Sequence, residues 1–568
     1  MSKELMGTAA SPGIAIGKVL ILEEENLDYQ KKTVEDVEGE KVRLHDALEE
    51  SKEQLQLIKD KVEREMGNDK AEIFQAHLLV LSDPELISAV ESKIDSAKVN
   101  AEAALDETVE QFATLFANMD NDYMRERASD IRDVGSRILK NLLGIDSINL
   151  ATLDDEVVLI ADDLTPSDTA QVNKDKVLGF ATKIGGRTSH TAIMARSLEL
   201  PAVVGVSEIL DIVENGDQII VDGVDGDIII NPTDEQLASY NKKAEEYEQR
   251  KARLAQLKDL AGETKDGHRV ELVANIGTPK DVKGALTNGA EGIGLFRSEF
   301  LYMDRDSFPT EEEQFESYKE VAEKMEGPVV IRTLDIGGDK ELSYLDLPEE
   351  MNPFLGYRAI RICLDRTDIF KTQLRAILRA SAYGEVKIMY PMISALEQLR
   401  AANGVLEEVK EELKAENVDF DENLEVGMMI EIPAAAMIAD ILAKETDFFS
   451  IGTNDLIQYT TATDRMNENI SHLYQPFHPA LLRLIKRVVE AAHGEGNWAG
   501  MCGEMAGDKR LAPYLLGVGL DEFSMSAVSI PEVKDQIRNM TLEDAKEIAQ
   551  KALTFSTAEE VEAFLSNI

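Results

Sequence analysis

A chain of 568 residues is too long for one compact core, and at roughly 150 residues per domain it implies about three or four units. Its 43% hydrophobic content excludes a largely disordered chain, while 108 acidic against 60 basic residues, a formal net charge of −48, argue against nucleic-acid or anionic-membrane binding and would steer a basic partner protein. The two cysteines, Cys363 and Cys502, cannot build a disulfide framework; with no apolar run of about 20 residues and no signal-peptide pattern at Met1-Ser2-Lys3-Glu4, a cytoplasmic, unanchored protein is expected.

Residues 8–22 read as a turn followed by a β-strand that must pair with material much later in the chain. From about Thr33 to Gly144 the pattern becomes helical. Val37, Leu44, Leu48, Leu55, Ile58 and Val62 mark one helix face. Ala71 to Leu81 continues that period, Asp83-Pro84 starts a new helix, Asn100 can cap another, and Tyr123 to Leu143 stops at Gly144. Charged surfaces of this kind usually face solvent, but the apolar excess at Ile73, Phe74, Leu78, Leu79 and Val80 also suits a docking face.

Strands return between about Ile145 and Asn231. They are expected at Val157 to Ala161, Val177 to Ala181, Val203 to Val206, Gln218 to Asp222 and Asp227 to Ile230, with Asp225-Gly226 turning the last pair into a hairpin. Within this region Gly185-Gly186-Arg187-Thr188-Ser189-His190-Thr191-Ala192-Ile193-Met194-Ala195-Arg196 places a histidine where a glycine turn passes into a helix. Backbone N–H groups at a helix start favour a dianion, so a phosphoryl group on the His190 ring would be well held. The competing account is a buried histidine capping a turn.

Asn231-Pro232-Thr233 ends this region, and a charged helix follows from Asp234 to about Leu260, suited to bridging domains through solvent. Beyond Ala261, strands and helices alternate. Eight strands are predicted at Glu271 to Gly277, Gly292 to Arg297, Val329 to Gly337, Glu385 to Met392, Glu425 to Pro433, Asp447 to Thr453, Trp498 to Gly503 and Glu522 to Ser526, the pattern of a (β/α)₈ barrel.

Chemistry in such barrels sits at the C-terminal strand ends. Those ends carry Asn275, Arg297, Arg332, Asp335, Lys340, Glu431, Asn454, Asp455, Cys502 and Glu504. Arg297, Arg332 and Arg465 suit a small anion bearing carboxylate and phosphate, although any one could form a structural ion pair. Glu431 and Asp455 at consecutive strand ends describe a magnesium site, with salt bridges to Arg332 or Lys340 as the alternative. Cys363 reads as core, and Cys502, between glycines in a cationic mouth, as a proton-transfer group.

The stretch around His190, Gly-Ile-Gly-Leu-Phe-Arg-Ser-Glu-Phe around Arg297, Met-Met-Ile-Glu-Ile-Pro with Ser-Ile-Gly-Thr-Asn-Asp-Leu, and Gly-Met-Cys-Gly-Glu resemble the phosphoenolpyruvate-utilising enzymes, in the order found in the enzyme I family of the bacterial sugar phosphotransferase system. The resemblance implies a multidomain α/β fold: a phosphohistidine domain from residues 1–22 and 145–231, an inserted helical domain at 23–144, a linker helix at 232–260 and a barrel at 261–568. It further implies that His190 accepts phosphorus, that Arg297, Arg332, Asn454 and Arg465 bind phosphoenolpyruvate, and that Glu431 and Asp455 hold Mg²⁺. Cys502 would protonate the enolpyruvate carbon, with Thr169 and Lys340 in support. The helical insertion would dock the phosphocarrier protein HPr and the barrel would form a homodimer. Pyruvate phosphate dikinase and phosphoenolpyruvate synthase resemble the same motifs but need a nucleotide-binding domain, and no Gly-rich ATP loop precedes residue 150. A non-enzymatic phosphoenolpyruvate sensor would leave His190 idle.

Overall fold

The computed structural model describes residues 2–568 except 23–26, 67, 118–121, 146–149, 151, 152, 154, 165–167, 169–171, 187, 188, 304, 339, 341, 346, 349, 466 and 468. At 61–66, 68–73, 122–127, 129, 190 and 197 the description covers the backbone only. Two compact units divide the chain, residues 1–250 and 251–568.

The first unit contains an eight-stranded mixed sheet. Its strands are β1 (Lys3–Met6), β2 (Thr8–Ser11), β3 (Ile14–Leu22), β4 (Val157–Ala161), β5 (Val177–Thr182), β6 (Ala202–Val204), β7 (Gln218–Asp222) and β8 (Asp227–Ile230), in the order β1-β8-β7-β3-β4-β5-β6-β2. Residues 8–22, expected to form a turn and one strand, form two, β2 and β3, and β1 precedes them. Pro12-Gly13 breaks the run, and Gly13 takes φ +128°, a value side-chain-bearing residues rarely adopt, so β2 and β3 part there. Pairing with later chain is as expected: β3 lies parallel to β4 and antiparallel to β7. Gly226 at φ +87° turns β7 back into β8.

Between β3 and β4 the described residues form five helices, α1 (Val37–Met66), α2 (Asn68–Leu81), α3 (Pro84–Ala97), α4 (Ala101–Ala117) and α5 (Asp122–Leu143). Leu44, Leu48, Leu55 and Ile58 are buried together, as their helical spacing requires; the side chain of Val62 lies outside the described residues. Asp83 caps α3 by accepting from the Glu85 amide, with Pro84 at its first position. Asn100 departs from the expected cap. Its side chain accepts from the Lys32 amide at 2.9 Å and donates to the Gln30 carbonyl at 3.2 Å, tying an extended segment to the start of α4. Gly144 stops α5 at φ +64°. Of the apolar residues expected to favour docking, Phe74 is core, Leu78 and Val80 pack partly against it, and Leu79 is exposed; the side chain of Ile73 lies outside the described residues.

A helix over Asp234–Gln256 has no buried residue, ending a turn before the predicted Leu260. The second unit is a closed barrel of eight parallel strands, β9 (Glu271–Ile276), β10 (Ile293–Arg297), β11 (Val329–Arg332), β12 (Val386–Tyr390), β13 (Val426–Ile430), β14 (Phe448–Ile451), β15 (Trp498–Met501) and β16 (Glu522–Met525), with β16 pairing back onto β9. All eight predicted strands are present. Most end earlier than predicted, β11 by the most, because the polar residues at their C-terminal ends leave the ladder to form the mouth. Most of the apolar core lies outside the barrel, between strands and helices, with a smaller interior cluster of Leu295, Val330, Met389, Met429, Phe448 and Cys502 beneath the mouth.

Candidate active site

In the first unit, His190 is the first residue of α6 (His190–Leu198), one residue earlier than the sequence suggested. Ser189 caps α6 by accepting from the Ala192 amide at 3.3 Å, and Gly185 makes the preceding turn at φ +116°. Thr191 donates to Asp163 at 2.7 Å and to the Leu164 carbonyl at 3.1 Å, which holds the first turn of α6 against the loop after β4. Ala192, Met194 and Ala195 are buried, whereas Ile193 faces outward. The His190 side chain, Arg187, Thr188 and Thr169 lie outside the described residues.

In the second unit, the C-terminal strand ends surround a cavity of about 580 Å³. Its walls include Arg297, Arg332, Asp335, Lys340, Glu431, Asn454, Asp455, Arg465, Cys502 and Glu504, so the barrel residues singled out from sequence meet in one place except Asn275, which is not part of the lining. Alternation along parallel strands explains why. Arg297, Arg332, Glu431 and Cys502 end or immediately follow their strands with side chains directed inward, above the apolar interior.

The charges are interlocked. Arg332 pairs with Glu299 and lies 2.9 Å from Asp335; Lys340 lies 2.8 Å from Glu299 and 3.4 Å from Asp335. These two cations therefore do form ion pairs, but with Glu299 and Asp335 rather than with Glu431 or Asp455. Arg358, which the sequence reading passed over, joins the network. One of its terminal nitrogens lies 2.9 Å from Asp335 and 3.2 Å from Asp455, and the other bonds the Tyr459 hydroxyl at 3.2 Å. No local sequence signal marks Arg358; its guanidinium lies over the Phe354 ring, and a Cβ at Gly337 would strike its side chain at 2.5 Å.

Burial alone would raise the Asp335 carboxyl, but Arg332, Arg358 and Lys340 together hold it well below the ordinary carboxylate range. Glu431 behaves oppositely. Burial, reinforced by the nearby charges of Asp455 and Asp335, pushes it up to about 8, and its Oε1 accepts from the Met392 amide at 2.5 Å. Burial also pushes the Cys502 thiol up to about 11, so it is a bound proton at neutral pH. Asn275 donates to the Cys502 carbonyl at 2.9 Å and accepts from Ser524 at 2.6 Å, fixing the turn that presents the thiol. Asn454 accepts from the Glu504 amide at 3.0 Å, tying the β14 and β15 ends together.

One feature marks the cavity as an anion site. The Nε groups of Arg332 and Arg358 are buried without a partner among the described residues, and a buried donor is costly until something accepts from it. Five basic and five acidic side chains line the walls, so the cavity is close to neutral and a polyanion would need a further cation beside it. Cys363, by contrast, is fully buried in the core beside α-helical neighbours, and burial raises its thiol strongly. Phe477-His478 has a structural role: His478 accepts from the Ala480 amide at 3.1 Å and caps a helix.

Three family models match the chain: PEP-utilising enzyme, N-terminal, over residues 6–127; mobile domain, over 153–226; and PEP-binding domain, over 251–542. Among relatives, "Phosphoenolpyruvate-protein phosphotransferase" of Priestia megaterium is 58% identical over 568 residues, covering 100% of this chain and 99% of its own. The proteins of that name from Staphylococcus carnosus (strain TM300) and Geobacillus stearothermophilus are 56% and 59% identical, each covering 99% of this chain and 98% of its own. Full-length identity at this level, with all three models in order and a barrel mouth built as an anion site, means that the chain belongs to the phosphoenolpyruvate-protein phosphotransferase family of phosphoenolpyruvate-utilising enzymes.

Proposed function

We propose that the chain takes the phosphoryl group of phosphoenolpyruvate onto His190 and passes it to a histidine of HPr, the first step of sugar uptake by the phosphotransferase system. The observation that carries this reading is the meeting of Arg297, Arg332, Asn454, Arg465, Glu431, Asp455 and Cys502 around one cavity. The arginines bind the carboxylate and phosphate of the substrate and neutralise charge that builds on the enol oxygen as the P–O bond opens. Asn454 contacts the phosphate, and Lys340, held by Glu299 and Asp335, supports the cationic wall.

Glu431 and Asp455 fit Mg²⁺. They are hard oxygen donors on one cavity wall, and burial, reinforced by the charge of Asp455, raises the proton affinity of Glu431, a cost that a bound cation would offset. Glu431 and Asp455 would hold the metal, which would supply positive charge against the phosphate of the substrate. The Cys502 thiol delivers its proton to C3 of the enolpyruvate, making pyruvate. At His190 the α6 start offers backbone N–H groups to the phosphoryl oxygens, and Thr169 steadies the ring. The helical segment 23–144 docks HPr, the barrel forms a homodimer, and the protein works in the cytoplasm, free of nucleic acid and membrane; no helix among the described residues is long and apolar enough to cross one.

The test is one incubation with labelled phosphoenolpyruvate, Mg²⁺ and HPr. Label should appear first on this chain and then on HPr. His190→Ala should abolish both transfers, while Cys502→Ala should spare exchange between phosphorylated enzyme and HPr yet stall turnover with phosphoenolpyruvate. Label retained on the His190→Ala chain, or transfer that needs ATP, would sink the proposal.

A further inference from the structure

Five acids line the barrel mouth, each placed where it would oppose an anionic substrate. Glu299 and Asp335 pair with Arg332 and Lys340, Asp455 pairs with Arg358, and Glu431 is proposed to hold the metal. Glu504 is exposed at the rim and bonds instead to an uncharged side chain, the amide of Asn454. A carboxylate beside a phosphate site weakens that site by like-charge repulsion, so the position calls for some other benefit.

The contact is reciprocal. The Glu504 backbone N–H donates to Asn454 Oδ1 at 3.0 Å, and Asn454 Nδ2 donates to Glu504 Oε1 at 3.4 Å. Strand register brings the two residues together: Ile451 on β14 pairs with Met501 on β15, and Asn454 and Glu504 each stand three positions further on. Between them the two turns touch, since a Cβ at Gly503 would meet the Thr453 hydroxyl at 1.8 Å. The Asn454 carbonyl accepts from the Tyr474 hydroxyl at 3.4 Å. Burial, with the Glu504 charge behind it, pushes that hydroxyl up to about 12, so it remains a donor.

A side-chain amide can be turned end for end, exchanging its oxygen with its NH₂ group. Here only one orientation is satisfied. Exchange would set the Asn454 oxygen against the Glu504 carboxylate, which only accepts, and the NH₂ group against the Glu504 backbone N–H, donor facing donor. With Oδ1 engaged and one N–H given to Glu504, the second N–H has no other partner among the described residues, and both side chains line the cavity. An ionised phosphate accepts hydrogen bonds, so the amide is held with the end that a phosphate needs.

We propose that Glu504 is a positioning residue of the phosphate site: its backbone N–H and its carboxylate together fix the Asn454 amide with an N–H turned toward the phosphoryl oxygens. This rests on the reading of Asn454 as a phosphate contact. The role requires an acceptor oxygen at position 504, while the negative charge works against the substrate. Removing the side chain therefore has two opposed effects. Loss of charge alone would tighten binding of an anion, whereas loss of the acceptor frees the amide to turn and weakens it.

Steady-state kinetics of the full-length enzyme with phosphoenolpyruvate, Mg²⁺ and saturating HPr separate these effects by sign. Glu504→Ala should lower kcat/KM for phosphoenolpyruvate about fivefold, the size expected for one hydrogen bond of ordinary strength. The loss should lie in KM rather than kcat, because an amide that meets the phosphate before and during transfer holds both states alike. Glu504→Gln keeps an acceptor and drops the charge, so its KM should match the wild-type value or fall below it. In a chain already carrying Asn454→Ala, Glu504→Ala should cause no further loss. A Glu504→Ala KM equal to or below that of wild type overturns the proposal, as does a Glu504→Gln chain no better than Glu504→Ala. A loss of the same size in the Asn454→Ala chain also overturns it, by marking a general disturbance of the β15 turn. If Asn454→Ala by itself leaves kcat/KM unchanged, the reading of Asn454 as a phosphate contact falls, a result distinct from failure of the positioning role alone.

Discussion

Arg358 and Asp455 meet across the barrel mouth, a guanidinium nitrogen 3.2 Å from a carboxylate oxygen, and the same nitrogen reaches Asp335 at 2.9 Å. Arg358 therefore orients a carboxylate proposed to hold the metal, and a planar fork does this better than a point charge. Arg358→Lys keeps the charge but loses the fork. A charge-assisted hydrogen bond of about 2 kcal/mol corresponds to roughly a 30-fold fall in kcat/KM for phosphoenolpyruvate. Steady-state kinetics across a Mg²⁺ titration should also show a higher metal requirement.

Gly503 follows the thiol at the β15 end. A Cβ there would lie 1.8 Å from Thr453 Oγ1 and 2.5 Å from the Thr453 amide nitrogen, so Gly503→Ala must push the Cys502 turn away from the β14 end. Pyruvate formation should drop at least tenfold, as expected when a reacting group is displaced by about 1 Å. HPr exchange with the phosphorylated enzyme, which does not use the thiol, should continue.

Ser189 caps α6. Ser189→Ala should cost the first unit about 1 kcal/mol. Hydrogen exchange at the amides of residues 191–193 in the full chain would report it, with rates rising about fivefold, while amides in the barrel strands stay unchanged.

Glu522, like Glu431, contributes to the pH dependence of stability with a definite sign. Its folded-state affinity for a proton, about 8 against an ordinary 4.5, exceeds that of the unfolded chain, so the folded state holds more protons between those values. This contribution is fully present below about pH 4.5, falls as pH rises toward 8, and is lost beyond it. Glu522→Gln should flatten that decline and raise the barrel melting temperature above pH 8 relative to wild type, as thermal scans across pH 5 to about 9 would show.

Much of the fold could be read along the chain because it rests on local periodicity. The 3.6-residue spacing of Leu44, Leu48, Leu55 and Ile58 gives α1, and short apolar runs such as Val157 to Ala161 and Glu522 to Ser526 give strands, since burial selects the same residue types wherever a strand is covered on both faces. Loop motifs are similarly local: Gly185-Gly186 before Ser189-His190 announces a capped helix start, and the barrel residues proposed for the site stand at strand ends because parallel (β/α) order alone says where the mouth lies.

Other features depend on distance in space, which spacing cannot encode. Asn100 has the residue type of a cap but serves a segment 68 residues earlier in the chain, because the Lys32 amide is brought beside it. Phe74 and Leu79 look equally suited to docking in sequence; only packing buries one and exposes the other. Residue types at 299, 335 and 358 do not reveal that these side chains neutralise one another around Arg332, and Glu522 looks like any strand-opening glutamate. Closure of the barrel decides both matters: it brings β16 against β9 and β15, removing water from one carboxyl while leaving others solvated or paired, and electrostatic energy depends on that local surrounding rather than on the order of residues.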